Sequence, residues 1–395
     1  MSSRSRWLVV LVATPIVAFV TVGGLLGAQR RQAAADFPHQ AVFEDVLSLV
    51  MNAYVEPVDM EKVLEGAMRG LADTLDTSSA FLLPDDVRAI EAGTPPPAGD
   101  VGLVVTRQFY LRVVGVRDGS PAARAGLQTG DYVRQIDGRA TRDLSGLAGM
   151  RLLRGAPGSK VSLTVIRGNA ADPHTFDLVR TAPTGPVVTQ RVLPNGTLHV
   201  RVTSFTPSVA TSLKQIFDAA PKAKITQAVI DLRGTADGRP EDGVAAARLF
   251  VKSGTLAVRV GRGTDRTTTD AGPGDGAITL PLVLLVSNGT AHAAEVFAAA
   301  LVGNDRAELV GEPTAGIAAV QKLVKLPDNH GLWLTHARYF TVDGKDPIHE
   351  RGLRPTYGVE IPRIGFDELP PATDEPLARA IERARARYLL IKKTG

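Results

Sequence analysis

The sequence predicts a multidomain α/β protein, and three observations support this fold class. From Gly185 onward, strand-like and helix-like segments alternate along the chain, which is the pattern of an α/β core. Leu282–Val286 is a short, continuous apolar run, as in strands that are buried on both faces. Apolar residues repeat at helical spacing over residues 37–91, which predicts a separate helical region.

Composition excludes several classes of function. The chain has 395 residues, of which 44% are hydrophobic and 22% charged, enough for two or three domains with cores of their own. The net charge of +4 arises from 45 basic and 41 acidic residues, a balance that does not indicate a nucleic-acid partner. The absence of cysteine excludes disulfides, thiolate catalysis and cysteine-ligated zinc. We expect no cofactor and no metal.

Residues 1–35 are predicted to be a signal anchor or transmembrane segment. Arg4 and Arg6 precede an apolar run over residues 7–28, and further arginines follow it. A run of this length suits a membrane-spanning helix better than the shorter apolar core of most signal peptides. The small residues before position 36 leave cleavage as an open alternative.

Local patterns predict several further elements. A helix is expected over Val209–Ala219, with Ser208 as its N-cap. Residues 261–276 are rich in glycine, threonine and aspartate, which predicts a flexible polar loop. Residues 377–391 are predicted to form a basic terminal helix with a solvated face.

The segment that organises the core is a strand followed by a tight turn and a helix. The turn residues Ser287, Asn288 and Gly289 follow Leu282–Val286, and residues 291–301 are strong helix formers. A side chain at such a corner is held rigidly beside backbone N–H groups, and many enzymes place a nucleophile there.

Two motifs resemble those of the C-terminal processing peptidases, also called tail-specific proteases. They are S-N-G-T-A-H-A-A-E at residues 287–295 and G-E-P-T-A-G-I-A-A-V-Q at residues 311–321. In that family the nucleophilic Ser lies three residues before the motif Glu, a Lys acts as base, and a Gln helps to position the Lys. The resemblance places these three catalytic positions on His292, Ile317 and Gln321.

The dyad implied by the resemblance is therefore not intact. A Ser–Lys dyad needs a hydroxyl that attacks and a neutral amine that accepts the proton, and Ile317 has no amine. We expect a homologue without proteolytic activity, a pseudopeptidase. The alternative is a working serine-type peptidase that uses non-standard residues, with Thr290 as the hydroxyl and Lys322 as the amine.

A third hypothesis is a metal-assisted hydrolase. His292 and Glu295 share a helix face at i and i+3, a spacing at which two ligands can meet one ion. The remaining ligand would come from one of three further histidines: His330, His336 or His349. Two residues at this spacing are weak support without an H-E-x-x-H motif.

Residues 100–167 resemble a PDZ domain, chiefly through G-S-P-A-A-R-A-G-L-Q-T-G-D-Y-V-R-Q-I-D-G at residues 119–138. PDZ domains bind the extreme C-terminus of a partner as an added strand, with its carboxylate on backbone N–H groups. The resemblance places the peptide-binding position on Val101, Gly102, Leu103 and Val104. The alternative is a domain that packs on its neighbour and binds nothing.

The stretch D-L-R-G-T-A-D-G at residues 231–238 resembles a third family motif, whose glycine-rich turn helps to form the oxyanion hole. Asp237 and Gly238 occupy that turn, and a carboxylate there would oppose a developing negative charge. Asp231 and Arg233 match the family and are predicted to form a structural ion pair.

The predicted organisation is a membrane anchor at 1–35, a helical region at 36–92, a PDZ domain at 100–180 and a peptidase-like domain at 185–395. The resemblance implies a crotonase-like β/α core for the last domain. It also implies an extracytoplasmic location, on the periplasmic side of the inner membrane or an equivalent. The expected partners are C-terminal tails of envelope proteins, the membrane, and a second copy of the chain.

Overall fold

The computed structural model describes residues 40–394, apart from residues 94, 169–171, 221–224, 264, 367 and 370. The predicted anchor at residues 1–35 lies outside the described residues. None of the described helices is both long enough and apolar enough to cross a membrane. The chain divides into two compact units, Met1–Met68 and Arg69–Gly395.

The structure contains the following helices: α1 Gln40–Ala53, α2 Met60–Asp73, α3 Pro84–Glu91, α4 Pro121–Arg124, α5 Gly146–Leu153, α6 Val209–Ala219, α7 Pro240–Ala247, α8 Ala293–Gly303 and α9 Glu375–Thr394. Its strands are β1 Ala80–Leu82, β2 Leu103–Gln108, β3 Tyr110–Val116, β4 Tyr132–Ile136, β5 Arg139–Ala140, β6 Lys160–Ile166, β7 His174–Val179, β8 Val188–Val192, β9 Thr197–Val202, β10 Gln227–Asp231, β11 Thr255–Gly261, β12 Arg266–Asp270, β13 Leu282–Val286, β14 Ala307–Gly311, β15 Ala319–Lys325, β16 Gly331–Phe340 and β17 Tyr357–Gly358.

The core is a six-stranded sheet in the order β17-β14-β13-β10-β9-β8. All of its neighbouring pairs are parallel except β8 with β9. Both faces are covered, since Leu284 of β13 packs in the cluster that contains Phe297 of α8, and Leu285 packs with Leu377 and Ala380 of α9. Burial on both faces explains why β13 is continuously apolar, as predicted.

Two antiparallel sheets flank this core within the larger unit. The first has the order β2-β3-β4-β6-β7, with β5 beside β4, and encloses its own apolar cluster around Leu111, Val133 and Leu163. The second has the order β1-β16-β11-β12, with β15 beside β16. The β2–β7 domain lies directly on the core, because a Cβ on Gly115 of β3 would meet the carbonyl oxygen of Gly234 at 2.7 Å.

Residues 361–366 fasten the β2–β7 domain to the core. The Ile364 carbonyl accepts hydrogen bonds from Gln128 Nε2 at 3.2 Å and from Arg167 at 2.9 Å. The ring of Phe366 lies between the guanidinium of Arg167, 4.1 Å from the ring centroid, and the His174 ring, 4.0 Å between centroids. The domain is therefore held from the side opposite to its edge strand β2 as well as by its contact with Gly234.

Several predicted elements need correction. The predicted polar loop at 261–276 contains the strand β12, whose Thr267, Thr268 and Thr269 pair with β11. The predicted helical region at 36–92 contains the short strand β1. Ser208 precedes α6 but makes no side-chain cap, since its hydroxyl bonds to Thr206 Oγ1 at 2.9 Å.

The predicted ion pair in the D-L-R stretch is confirmed. An Arg233 guanidinium nitrogen lies 2.7 Å from Asp231 Oδ2, and the same guanidinium contacts Asp374 at 2.8 Å. His199 Nε2 lies 3.3 Å from the same Asp231 oxygen. These contacts connect the carboxyl end of β10 to the start of α9. Burial by itself would raise the pKa of Asp231, but the hydrogen bonds from His199 and Arg233 hold that pKa well below its usual range.

Candidate functional site

A cleft of about 350 Å³ lies between the β2–β7 domain and the core. It contains five of the positions predicted from the sequence for the dyad and its turn: Asp237, Gly238, His292, Ile317 and Gln321. Among the four predicted peptide-binding residues, Val104 lines the cleft, whereas Val101, Gly102 and Leu103 are buried and do not line it. The predicted catalytic positions thus share the cavity with one of the predicted tail-binding residues.

Backbone hydrogen bonds join the three loops that carry the family motifs. The Ala291 N–H donates to the Thr235 carbonyl at 3.0 Å, and the Ala315 N–H donates to the Thr290 carbonyl at 2.9 Å. The His292 N–H donates to the Ile317 carbonyl at 3.2 Å. The two residues to which the resemblance assigns the nucleophile and base positions are therefore in direct backbone contact, although they are far apart in the sequence.

His292 occupies a strained corner between β13 and α8. Its backbone has φ 52° and ψ −119°, a conformation that is unfavourable for any residue with a Cβ. Thr290 stabilises the turn before it, because its hydroxyl accepts from the Ser287 N–H at 3.0 Å and donates to the Leu232 carbonyl at 2.8 Å. The corner has the strained geometry of a nucleophile position, with an imidazole in place of a hydroxyl.

Ile317 lies in an apolar environment rather than a polar one. Its side chain, 7% exposed, belongs to a cluster with Val114 of β3, Ala236 and Ala291. Gln321, half-buried at the cleft wall, donates from Nε2 to Thr335 Oγ1 at 3.3 Å. Among the described residues that line the cleft there is no lysine, so no amine is in place to take a proton.

The buried carboxylate of Glu295 connects helix α8 to the second motif. Its Oε1 accepts hydrogen bonds from the Thr314 hydroxyl and from the Gly316 N–H at 2.7 Å. Its Oε2 accepts from the Ile317 N–H at 2.8 Å. Glu295 therefore has a structural role, because all three contacts hold the Ile317 loop against the start of α8.

Burial shifts the pKa values of both titratable groups on this corner. Burial raises the pKa of Glu295 to about 7, while its hydrogen bonds from Thr314, Gly316 and Ile317 act in the opposite direction. Burial also lowers the pKa of the His292 imidazole. The carboxylate of Asp237 opposes this shift, and His349 reinforces it. The imidazole is neutral at neutral pH and does not supply a positive charge to an oxyanion.

The turn at residues 235–238 combines a constrained backbone with an acidic side chain at the cleft wall. A Cβ on Gly238, which has φ +127°, would meet the Phe205 carbonyl oxygen at 2.4 Å, so only glycine fits there. The Thr235 hydroxyl is buried and donates to the Val202 carbonyl. Asp237 is exposed at the cleft wall, where its carboxylate opposes any negative charge that develops near His292.

The structure adds residues that the sequence reasoning missed. Thr77, Leu147, Met150 and Trp333 line the cleft and come from three separate segments of the chain, since Leu147 and Met150 share helix α5. None belongs to a motif, and no local signal in the sequence connects them.

A second layer lies behind the cleft. The buried Asp76 accepts from the N–H groups of Ser78 and Ser79 at 2.8 and 2.6 Å. His349 Nε2 lies 4.0 Å from Asp76 Oδ2, and neither ring nitrogen of His349 has a hydrogen-bond partner among the described residues. Burial lowers the pKa of His349, against the opposing effects of Asp76 and Glu350. The His349 ring is therefore neutral, and it is buried behind the cleft wall.

The geometry disfavours the alternative serine-type peptidase that would use Thr290 as the hydroxyl and Lys322 as the amine. Thr290 is fully buried and its hydroxyl is engaged in the two hydrogen bonds of the turn. Lys322 is exposed and does not line the cleft, whereas its neighbour Gln321 does, because successive strand residues point to opposite faces.

The proposed metal ligands are also not assembled. Among residues 40–394 that the structure describes, no group of three or more His, Asp or Glu side chains could hold a metal ion. Glu295 is directed into the Ile317 loop, His330 stacks on Phe81 with ring centroids 5.2 Å apart, and His336 is exposed.

The edge strand β2 borders the cleft, and helix α5 lies along it. The Val105 N–H points toward α5 and donates to the thioether of Met150 at 3.3 Å. A Cβ on Gly146 of α5 would lie 3.6 Å from the Val105 carbonyl oxygen. An added peptide strand would need the same backbone groups, so in this structure the helix occupies the edge that a tail would use.

Comparison with known proteins places this architecture in a family. A carboxyl-terminal-processing protease from Synechocystis sp. is 32% identical over 344 residues, which cover 85% of this chain and 80% of the relative. The chain belongs to the carboxy-terminal processing proteases of peptidase family S41. The family model matches residues 196–359, and a PDZ-domain model matches residues 112–167.

Other relatives agree with this assignment. The carboxy-terminal processing protease CtpA of Bacillus subtilis is 26% identical over 356 residues, covering 89% of this chain and 75% of the relative. The solved structure of a photosystem II D1 C-terminal processing protease matches with a TM-score of 0.68 and 27% identity, over 90% of this chain and 96% of that one. The mixed α/β fold with a PDZ domain and an S41 peptidase fold follows from these matches.

The backbone strain at His292 predicts an unusual response to glycine. We expect His292→Gly to have a free energy of unfolding about 1 kcal/mol higher than His292→Ala, because glycine relieves the positive φ. Urea denaturation of the two variants measures the difference. As a control, Ala386→Gly on the exposed face of α9 should lower stability, as glycine does in an ordinary helix. A less stable glycine variant at position 292 would contradict the strain.

The raised pKa of Glu295 predicts a pH-dependent stability. Between the ordinary carboxyl pKa of 4.5 and the folded value of about 7, the folded chain binds more protons than the unfolded chain. This contribution therefore lowers the free energy of unfolding as pH rises through that window. Urea denaturation across it should show the fall for the natural chain but not for Glu295→Gln. The exposed Glu360→Gln is the control, and parallel profiles for the chain and Glu295→Gln would refute the prediction.

Proposed function

We propose that this S41 family member binds the C-terminal tails of other proteins and does not hydrolyse them. One observation carries the proposal: His292 and Ile317 meet at the positions where the family resemblance expects a nucleophile and a base. Loss of the nucleophile alone lowers turnover by about 10⁶-fold in a catalytic triad, and losses within such a unit are not additive.

The electrostatics of the cleft support the same proposal. A tetrahedral intermediate carries a negative oxygen that needs preorganised donors, whereas Asp237 adds a carboxylate to the wall of this cleft. The low pKa of His292 leaves the imidazole uncharged at neutral pH. On this proposal, the described cleft has no attacking hydroxyl at position 292, no amine base at position 317 and no source of oxyanion stabilisation at the turn.

Tail binding is supported by the continuity of the PDZ edge with the cleft. Val104 and Val105 of β2 line the same cavity as His292 and Ile317, so a peptide added along β2 would run toward the former catalytic positions. The cleft wall is mainly apolar there, with Leu147, Met150 and Trp333. An occupant that enters by strand addition would remain bound because no group is placed to cleave it.

The proposal extends to location and assembly. The apolar run at residues 7–28 would anchor the chain with its body outside the cytoplasm. The exposed apolar residues Val42, Val46 and Leu49 on α1 offer a surface on which two copies of the chain would associate.

Introducing a serine and a lysine at positions 292 and 317 tests the proposal that the chain does not hydrolyse peptides. We expect the natural chain to leave an unstructured polypeptide with an apolar C-terminus intact over hours, as followed by mass spectrometry. His292→Ser with Ile317→Lys should remain weakly active, because Asp237 still opposes the oxyanion. Adding Asp237→Gly should raise the rate by about tenfold or more.

Two outcomes would oppose this reading. Cleavage by the natural chain that His292→Ala abolishes would make it an active peptidase with non-standard residues. Full activity of the double variant, with no further gain from Asp237→Gly, would remove the electrostatic argument about the turn.

The contact between Met150 and β2 makes tail binding testable. Met150→Ala removes the side chain that occupies the Val105 N–H, so we expect it to bind a labelled peptide with an apolar C-terminus several-fold more tightly. Fluorescence anisotropy measures the affinity, with the C-terminal amide of the same peptide as a control for the carboxylate. Gly102 is unsuitable for substitution, since a Cβ there would lie 2.1 Å from Ser120 Cβ. Equal binding of acid and amide, or weaker binding by Met150→Ala, would count against the groove.

A further inference from the structure

The hairpin that joins β2 to β3 exposes an aromatic residue in a strained conformation. Gln108 pairs directly with Tyr110, so the strands are connected through the single residue Phe109. Phe109 has φ 68° and is 62% exposed. Bulky side chains are uncommon at positive φ, where glycine or asparagine is preferred. Neither burial nor backbone preference explains a phenylalanine at this tip.

Arginines surround this tip. The Arg142 guanidinium lies 4.7 Å from the centroid of the Phe109 ring, and that of Arg134 lies 5.4 Å from the Tyr110 ring. Arg112 lies on β3 and pairs with Tyr132 of β4. Because it follows the buried Leu111 in the strand, its side chain faces outward from the domain. We call Phe109, Tyr110, Arg112, Arg134 and Arg142 the hairpin patch.

The arginines of the hairpin patch form no ion pair among the described residues, although Asp73 and Asp76 line the same hollow as Arg142. In the part of the chain that the structure describes, Arg112, Arg134 and Arg142 have no carboxylate within ion-pair distance. The neighbouring Arg107, in contrast, contacts Asp73 at 2.7 Å. The patch therefore combines an exposed aromatic ring with three unpaired guanidinium groups at the end of one domain.

We propose that the hairpin patch binds an anionic lipid surface. Guanidinium groups interact with lipid phosphates while an adjacent aromatic ring enters the boundary between headgroups and acyl chains. The charge of the patch complements such a surface, and the single-residue tip leaves the Phe109 ring 62% exposed and free to enter it. An acidic peptide is a poorer fit than a lipid surface, because a peptide would have to occupy the hollow beside Phe109, which Asp73 and Asp76 line together with Arg107 and Arg142, whereas a lipid surface would contact only the exposed tip.

This contact would orient the cleft. Strand β2 begins at the cleft, where Val104 lines the wall, and ends at the tip beside Phe109. Binding of the tip to a membrane would thus place the tail-binding edge at a defined distance from the lipid surface. The inference does not depend on whether the cleft is catalytically active or on the predicted anchor.

The absence of cysteine makes a site-specific test possible. The full chain carrying Gln108→Cys, labelled with an environment-sensitive fluorophore, is mixed with vesicles of phosphatidylcholine with or without phosphatidylglycerol. We expect quenching by lipid-borne quenchers in the anionic vesicles, and little in the neutral ones. A second label at Val192→Cys, which is 55% exposed on β8, should not be quenched and controls for general proximity to the membrane.

Variants separate the charge from the aromatic ring. Arg134→Gln with Arg142→Gln should weaken the lipid-bound state of the tip by about tenfold or more at low salt, since each basic residue near an anionic surface contributes attraction. Phe109→Asn, which suits a positive φ, should reduce quenching while it preserves the fold. The matched control, Arg262→Gln with Arg385→Gln, removes two exposed arginines elsewhere and should change nothing.

Three results would overturn the proposal. Equal quenching of the two labels would show that the tip has no special contact with lipid. Equal quenching in neutral and anionic vesicles would exclude charge recognition. A saturable response of the Gln108→Cys label to an acidic peptide without vesicles, together with no response to vesicles, would assign the patch to a protein partner.

Discussion

The buried carboxylate of Glu295 is the contact on which the geometry of the cleft depends. It lies in the first turn of α8 and receives hydrogen bonds from Thr314, Gly316 and Ile317. Because these groups belong to the loop before β15, the carboxylate fixes that loop against the helix. The carbonyl of Ile317 can then accept from the His292 N–H, and the strained corner is held on both sides.

The cleft combines a constrained backbone with side chains that do not form a Ser–Lys pair. His292 has a positive φ, and Gly238 has a conformation that only glycine fits beside Phe205. Strain of this kind persists only where the surrounding contacts over-determine the backbone. The side chains that line the cleft include an imidazole at His292, an aliphatic group at Ile317 and a carboxylate at Asp237. The backbone at this site is thus fixed by its surroundings, whichever side chains the cleft contains.

Local sequence patterns predicted the buried elements well and the exposed ones less well. The strand Leu282–Val286 and the helix Val209–Ala219 have the predicted bounds, because burial on both faces makes the strand continuously apolar and burial on one face gives the helix an apolar periodicity. Strand β12 was missed, since its threonines are largely exposed and form no apolar stripe. Its pairing with β11 depends on backbone hydrogen bonds, which leave no trace in side-chain periodicity. Helix α8 begins at Ala293 rather than at residue 291, because the corner at His292 is not helical.

The sequence by itself determined that His292 and Ile317 stand at the positions that the resemblance assigns to the nucleophile and the base, because residue identity and motif spacing are read directly from it. It also determined the buried strands, whose apolar character is local. Only the tertiary structure decided that Lys322 points away from the cleft, that Thr290 is held in a turn, and that Met150 occupies the edge of β2. These facts depend on contacts between segments distant in the sequence, and packing between such segments is not encoded in any one local pattern.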